Sequence, residues 1–159
     1  MKKYKYVVVF IVLTIVLSGC SKNYMTSIYN DNKKISSDTN SFNLDVEEQN
    51  IKGQEFNGLI KKIEGMDTIW TYEADKDMEL DMKYLLNVTS GKLKLVLITP
   101  DSSVTNLIEA TKESDMLDYS INTLKIKKGI NRIKIVADKK TSLKFNISIP
   151  NGEFKELGM

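Results

Sequence analysis

Leu80-Asp81-Met82-Lys83-Tyr84-Leu85-Leu86-Asn87-Val88 runs through Thr89-Ser90-Gly91 into Lys92-Leu93-Lys94-Leu95-Val96-Leu97. Leu80, Met82, Tyr84, Leu86 and Val88 alternate with Asp81, Lys83 and Asn87; Leu93, Leu95 and Leu97 alternate with Lys92 and Lys94. Successive side chains of a strand point to opposite faces, so this period of two predicts strands with one buried face. With Ser90-Gly91 as a two-residue hairpin turn, Val88 faces Leu93, Leu86 faces Leu95 and Tyr84 faces Leu97. The alternation recurs at Leu143, Phe145, Ile147 and Ile149, with Lys144, Asn146 and Ser148 between them. Residues 58–63, 68–73, 104–110, 121–127 and 131–137 are further strand candidates. A turn at Gly129-Ile130 pairs Ile126 with Ile133 and Leu124 with Ile135. A longer turn at 138–142 pairs Ala137 with Leu143. About eight short strands predict an all-β fold: a single, jelly-roll-like β-sandwich over residues 51–159.

The other end of the chain is an address. Lys2, Lys3 and Lys5 precede the apolar run Val7–Val16 (VVVFIVLTIV), and Leu17-Ser18-Gly19-Cys20 follows. The run is shorter than the roughly 20 residues that span a bilayer, and it has the length of a secretory signal core. The segment resembles a bacterial lipoprotein signal peptide with LSGC as its lipobox. That resemblance implies cleavage between Gly19 and Cys20, removing residues 1–19, and a covalent diacylglyceryl group on the Cys20 sulfur. Two acyl chains anchor stably where one is marginal. The expected location is extracytoplasmic, on the outer face of the cell membrane. The region from Trp70 to Ile149 is also similar in pattern to small jelly-roll modules of exported bacterial proteins, some of them carbohydrate-binding. No binding motif carries over with that likeness.

Composition narrows the chemistry. The chain has no histidine, and Cys20 is its only cysteine. Histidine-dependent triads, thiolate nucleophiles, His or Cys zinc sites and disulfides are therefore all excluded once Cys20 is acylated. No paired-carboxylate or Ser-Lys motif replaces them, so the expectation is a non-catalytic protein without a cofactor. Residues 1–19 hold three lysines and no acid, so the remainder carries 20 basic and 21 acidic side chains, net −1. That balance does not point to nucleic acid.

Residues 20–50 are rich in Ser, Asn, Asp and Lys with scattered apolar positions. This composition predicts a flexible linker behind the lipidated cysteine, with a mean reach of about 30 Å. The alternative is an N-terminal strand around Phe42–Val46 packed on the domain.

Three constellations are candidate sites. Lys125 and Lys127 oppose Leu124 and Ile126, and Arg132 and Lys134 oppose Ile133 and Ile135. In the hairpin register these four cations share one face with Lys144, a dock for anionic envelope material. Against this stands the view that lysines on a strand face merely discourage edge pairing. Asp75, Asp77, Glu79 and Asp81 recur at every second position, and Asp75 and Asp77 are weak calcium candidates only if a loop gathers them. Trp70 and Tyr72 share a face and, if exposed, form a stacking platform for sugar rings; if buried, they are core. The partners these patterns offer are the membrane through the lipid, then an anionic wall polymer, a glycan or an envelope protein.

Overall fold

The computed structural model describes residues 24–114 and 117–159; the signal segment and Cys20 lie outside them. Two short helices, α1 (Tyr24–Ile28) and α2 (Asn32–Ile35), precede eight strands. These are β1 (Ser41–Lys52), β2 (Glu55–Ala74), β3 (Met78–Ser90), β4 (Lys92–Ile98), β5 (Val104–Thr111), β6 (Ser120–Ile126), β7 (Gly129–Ser148) and β8 (Glu153–Phe154).

The all-β expectation holds, but the strands join differently from the predicted hairpins. β2 and β7 are each 20 residues long and antiparallel over nearly their whole length. Both are bent, and each half belongs to a different layer. In layer A, β8, the C-terminal half of β2, the N-terminal half of β7, β4 and β5 lie side by side. In layer B the order is β1, the N-terminal half of β2, the C-terminal half of β7, β3 and β6. Residues from both layers share one core that includes Phe56, Trp70, Leu86, Leu95, Ile133 and Phe145. Phe56 and Phe145 meet edge to face at 4.9 Å. Asn122 of β6 donates to the Leu107 carbonyl of β5 at 2.8 Å, joining the two edges.

Three predicted turns are therefore corrected. Ser90-Gly91 joins no hairpin, because β3 pairs with β6 and β7 while β4 pairs with β5 and β7. The chain instead steps between layers there. Gly129-Ile130 also joins no hairpin: β6 pairs with β3, and β7 begins against β2. Residues 138–142 do not reverse the chain either; they are the corner of β7. The segment expected to be a linker is ordered from Tyr24. β1 pairs along β2 from Ser41↔Met66 to Lys52↔Glu55, extending the strand alternative beyond Phe42–Val46.

The corner explains Gly91. Thr141, fully buried, donates its hydroxyl to the Lys92 carbonyl at 2.9 Å and accepts from the Lys92 N–H at 3.2 Å. Gly91 has φ +73°, and a Cβ there would stand 2.5 Å from Thr141 Oγ1 and 2.8 Å from its Cα. Both the left-handed backbone and the contact require glycine. Gly91→Ala is expected to cost about 2–3 kcal/mol through strain and overpacking. Urea unfolding checks this: the midpoint should fall while the slope stays unchanged.

Candidate functional site

The outer face of layer A decides the fate of the predicted basic patch. Outward parity is as expected: Arg132, Lys134 and Val136 point away from the core side chains Ile133, Ile135 and Ala137. However, residues 24–40 lie across this face as an arm. Ile28, Tyr29 and Ile35 are buried against Met66, Val96, Ile98 and Val136. Met25 and Ile28 on α1, with Tyr29 just past its end, follow helical spacing and place their apolar sides on the sheet.

Lys134 is completely buried beneath the arm. Its Nζ donates to the carbonyls of Ser37 and Thr39, both at 2.8 Å. Arg132 pairs with Asp38 and donates to the Ser36 carbonyl at 3.2 Å. Burial, then the neighbouring Arg132 charge, pulls the Lys134 ammonium down to about 8, against the opposing pull of Asp38 and Asp67. Tyr29 is fixed similarly: its hydroxyl donates to Glu109 at 2.8 Å, and Lys92 and Lys94 lie over its ring at 4.5 and 4.9 Å.

The five predicted cations thus do not form one surface. Lys134 and Arg132 hold the arm. Lys127 donates to Asp77 at 2.8 Å at the open end of the sandwich. Lys125 is exposed opposite Glu79 on the β3–β6 pair, and Lys144 is exposed beside Leu59 and Asn87 on the outer face of layer B. The predicted register failed because β6 and β7 belong to different pairings.

The acidic row breaks at a turn. Asp75–Asp77 connects β2 to β3, and Asp77 also accepts from the Lys128 N–H at 2.9 Å. The Lys127 side chain, then this backbone N–H, holds the Asp77 carboxyl below its usual range. Asp75 is exposed and Asp81 accepts from Thr123 at 2.9 Å. Among the described residues no three metal-ligating side chains converge.

Trp70 is core, not platform. It is fully buried, and its indole N–H donates to the Asn151 carbonyl at 2.8 Å. Tyr72 is half-buried, 5.9 Å from the Trp70 ring, and lines an open groove of about 620 Å³. The groove is bounded by Thr71, Tyr72, Glu73, Ile130, Gly152 and Glu153. β2 and β7 set its floor, since Glu73 lies opposite Ile130; β8 sets its wall, since Glu153 lies opposite Thr71. Ile130 is 56% exposed and separates it from a second groove of about 560 Å³ lined by Asp38, Pro100, Ser102 and Arg132. Thr71, Glu73, Ile130, Gly152 and Glu153 are additions to the predicted site. The available signal was parity: Ile130 shares the outward side with Arg132 and Lys134, an apolar residue where charges follow.

No protein-family model matches the chain, and no curated protein matches it. Among solved structures, it is similar to a CBM4 structure (11% identity, 70% of this chain and 78% of the other, TM-score 0.38). A family 29 carbohydrate-binding module complexed with mannohexaose gives 8% identity over 71% and 94%, with TM-score 0.37. Procruciferin, an 11S globulin of Brassica napus, gives 13% identity over 65% and 23%, with TM-score 0.32. Likenesses this distant say nothing of what this chain binds.

The Lys134 contact makes a pH-dependent expectation. An unfolded lysine holds its proton up to about 10.4, whereas the folded one releases it near 8. Between these values the unfolded state binds more protons, so stability rises with pH there. Below pH 8 the full cost of burying the charge remains. Urea titrations from pH 7 to 10.5 should show this rise in the wild type and a smaller one in Lys134→Met, where Lys94, also pulled down by burial, keeps a share. The same variant orphans the Ser37 and Thr39 carbonyls, so protease cleavage within residues 30–40 should accelerate.

Proposed function

We propose that this chain is a non-catalytic binding module, lipid-anchored through Cys20 at the outer face of the cell membrane, and that the groove beside Ile130 takes a hydroxyl-rich glycan of the envelope. The observation that carries the ligand class is the groove's chemistry. Ile130 offers exposed apolar surface against which the C–H face of a sugar ring packs, while Tyr72 turns its ring to Trp70 and the core beneath. Glu73 and Glu153 rim it with carboxylates that accept hydrogen bonds from hydroxyl groups. The same carboxylates repel polyanions, which moves the preferred ligand from anionic wall polymer to neutral glycan. Asp75 and Asp77, on the adjoining turn, add to that repulsion.

A second surface favours contact with a protein. Leu117, Tyr119 and Ile121 are 86%, 47% and 67% exposed along the approach to edge strand β6, with Lys83 over the Tyr119 ring at 4.4 Å. An apolar cluster beside an unpaired strand edge suits a protein partner, as an accessory or immunity lipoprotein would need.

Calorimetric titration with neutral envelope oligosaccharides tests the groove. Glu73→Gln and Ile130→Ser should each weaken binding about tenfold, roughly 1.4 kcal/mol, while Lys125→Gln and Lys144→Gln leave it unchanged. Binding that vanishes in high salt and follows the lysines would overturn the glycan assignment. Incorporation of labelled palmitate into the wild type but not into Cys20→Ala tests the anchor separately.

A further inference from the structure

We infer that the module lies directly on the bilayer, with the docked arm as its membrane-facing surface. This rests on the lipid-anchor reading of Cys20. The described fold begins at Tyr24, so only Ser21, Lys22 and Asn23 separate the acylated residue from α1. Four residue steps span at most about 14 Å. The start of α1 is therefore confined to the immediate neighbourhood of the headgroups.

The arm cannot lengthen that tether while it stays docked. Ile28 and Ile35 are fully buried, and Lys134 and Arg132 grip the carbonyls and carboxylate of residues 36–39. The tether thus ends on the outer face of layer A, and this face turns toward the lipid. What the arm presents outward suits an interface. Tyr24 is 54% exposed with the Lys34 ammonium 4.6 Å from its ring, and Asn30, Asn32 and Lys33 are exposed beside it. An amphipathic ring and lysines with long apolar stems are groups that settle at headgroup depth.

The outer face of layer B then points away from the membrane. Packed sheets are about 10 Å apart and a docked helix adds about 10 Å, so this face stands roughly 20 Å farther out. Asn87 lies there, on the outward side of β3 beside Lys144.

Because Cys20 is the only cysteine and is blocked when acylated, a single introduced thiol can be labelled selectively. Full-length lipidated Asn32→Cys, Lys33→Cys and Asn87→Cys variants would carry a fluorophore in phosphatidylcholine–phosphatidylglycerol vesicles whose headgroups bear a nitroxide quencher. The expected result is quenching at positions 32 and 33 several-fold stronger than at 87. Equal quenching at all three, in protein shown to carry palmitate, would overturn the seating and leave the anchor standing. Protein that takes up no palmitate would overturn the anchor, and the seating with it.

Discussion

The fold depends on two strands that each serve both layers. β2 and β7 pair on both sides of their shared bend, and the register shifts at the bend itself, between Ile60 and Gly65, so bulges turn the ladder from one layer into the other. A buried backbone group without a partner costs as much as a lost hydrogen bond, and side chains take over where the ladder shifts: Ser142 donates to the Lys61 carbonyl and Thr141 to that of Asp138. Thr141 also holds both backbone groups of Lys92, receiving β4 as it enters layer A. Bringing both ends of β7 to one side also gathers the turns at 75–77, 127–128 and 99–103. Because of that gathering, Tyr72, Ile130 and Glu153, distant in sequence, border one groove.

The arm uses charge structurally. A buried ammonium is tolerable only when its protons are all well placed, and removing one partner leaves a costly orphan. Lys134 meets this with two carbonyls of the arm and the Met66 sulfur at 4.0 Å, and Arg132, two residues away, engages the Asp38 carboxylate. Groups of the type that bind polyanions on an open surface here bind the chain's own N-terminal segment. The face they occupy is thereby withdrawn from solvent ligands, while the two grooves flanking Ile130 at its rim stay open.

Parity was legible in the sequence; partnership was not. The alternations at 80–88, 93–97 and 143–149 all appear with their apolar members in the core, because each strand buries one face. The same regularity misled on pairing. Any antiparallel register that keeps parity sets apolar opposite apolar, so the proposed hairpins satisfied the pattern without being formed. Arg132 and Lys134 point outward as read, yet no local signal announced that residues 24–40 cover them. Met25, Ile28 and Tyr29 do have helical spacing, but a single turn is too short to stand out from a polar stretch. Trp70 and Tyr72 were correctly placed on one side of one strand; their depth was set by β8 and Asn151, contributed from the far end of the chain.

The ordered arm has a practical corollary for anyone preparing this domain. Cutting the chain near residue 50 looks natural from composition, yet it peels away both helices and most of edge strand β1. Met66, Val96, Ile98 and Val136 would be left bare, together with an ammonium stripped of its acceptors and an open edge on β2. Such a truncated piece would clump with its own kind before it met any natural ligand. A well-behaved secreted version has to begin no later than Tyr24.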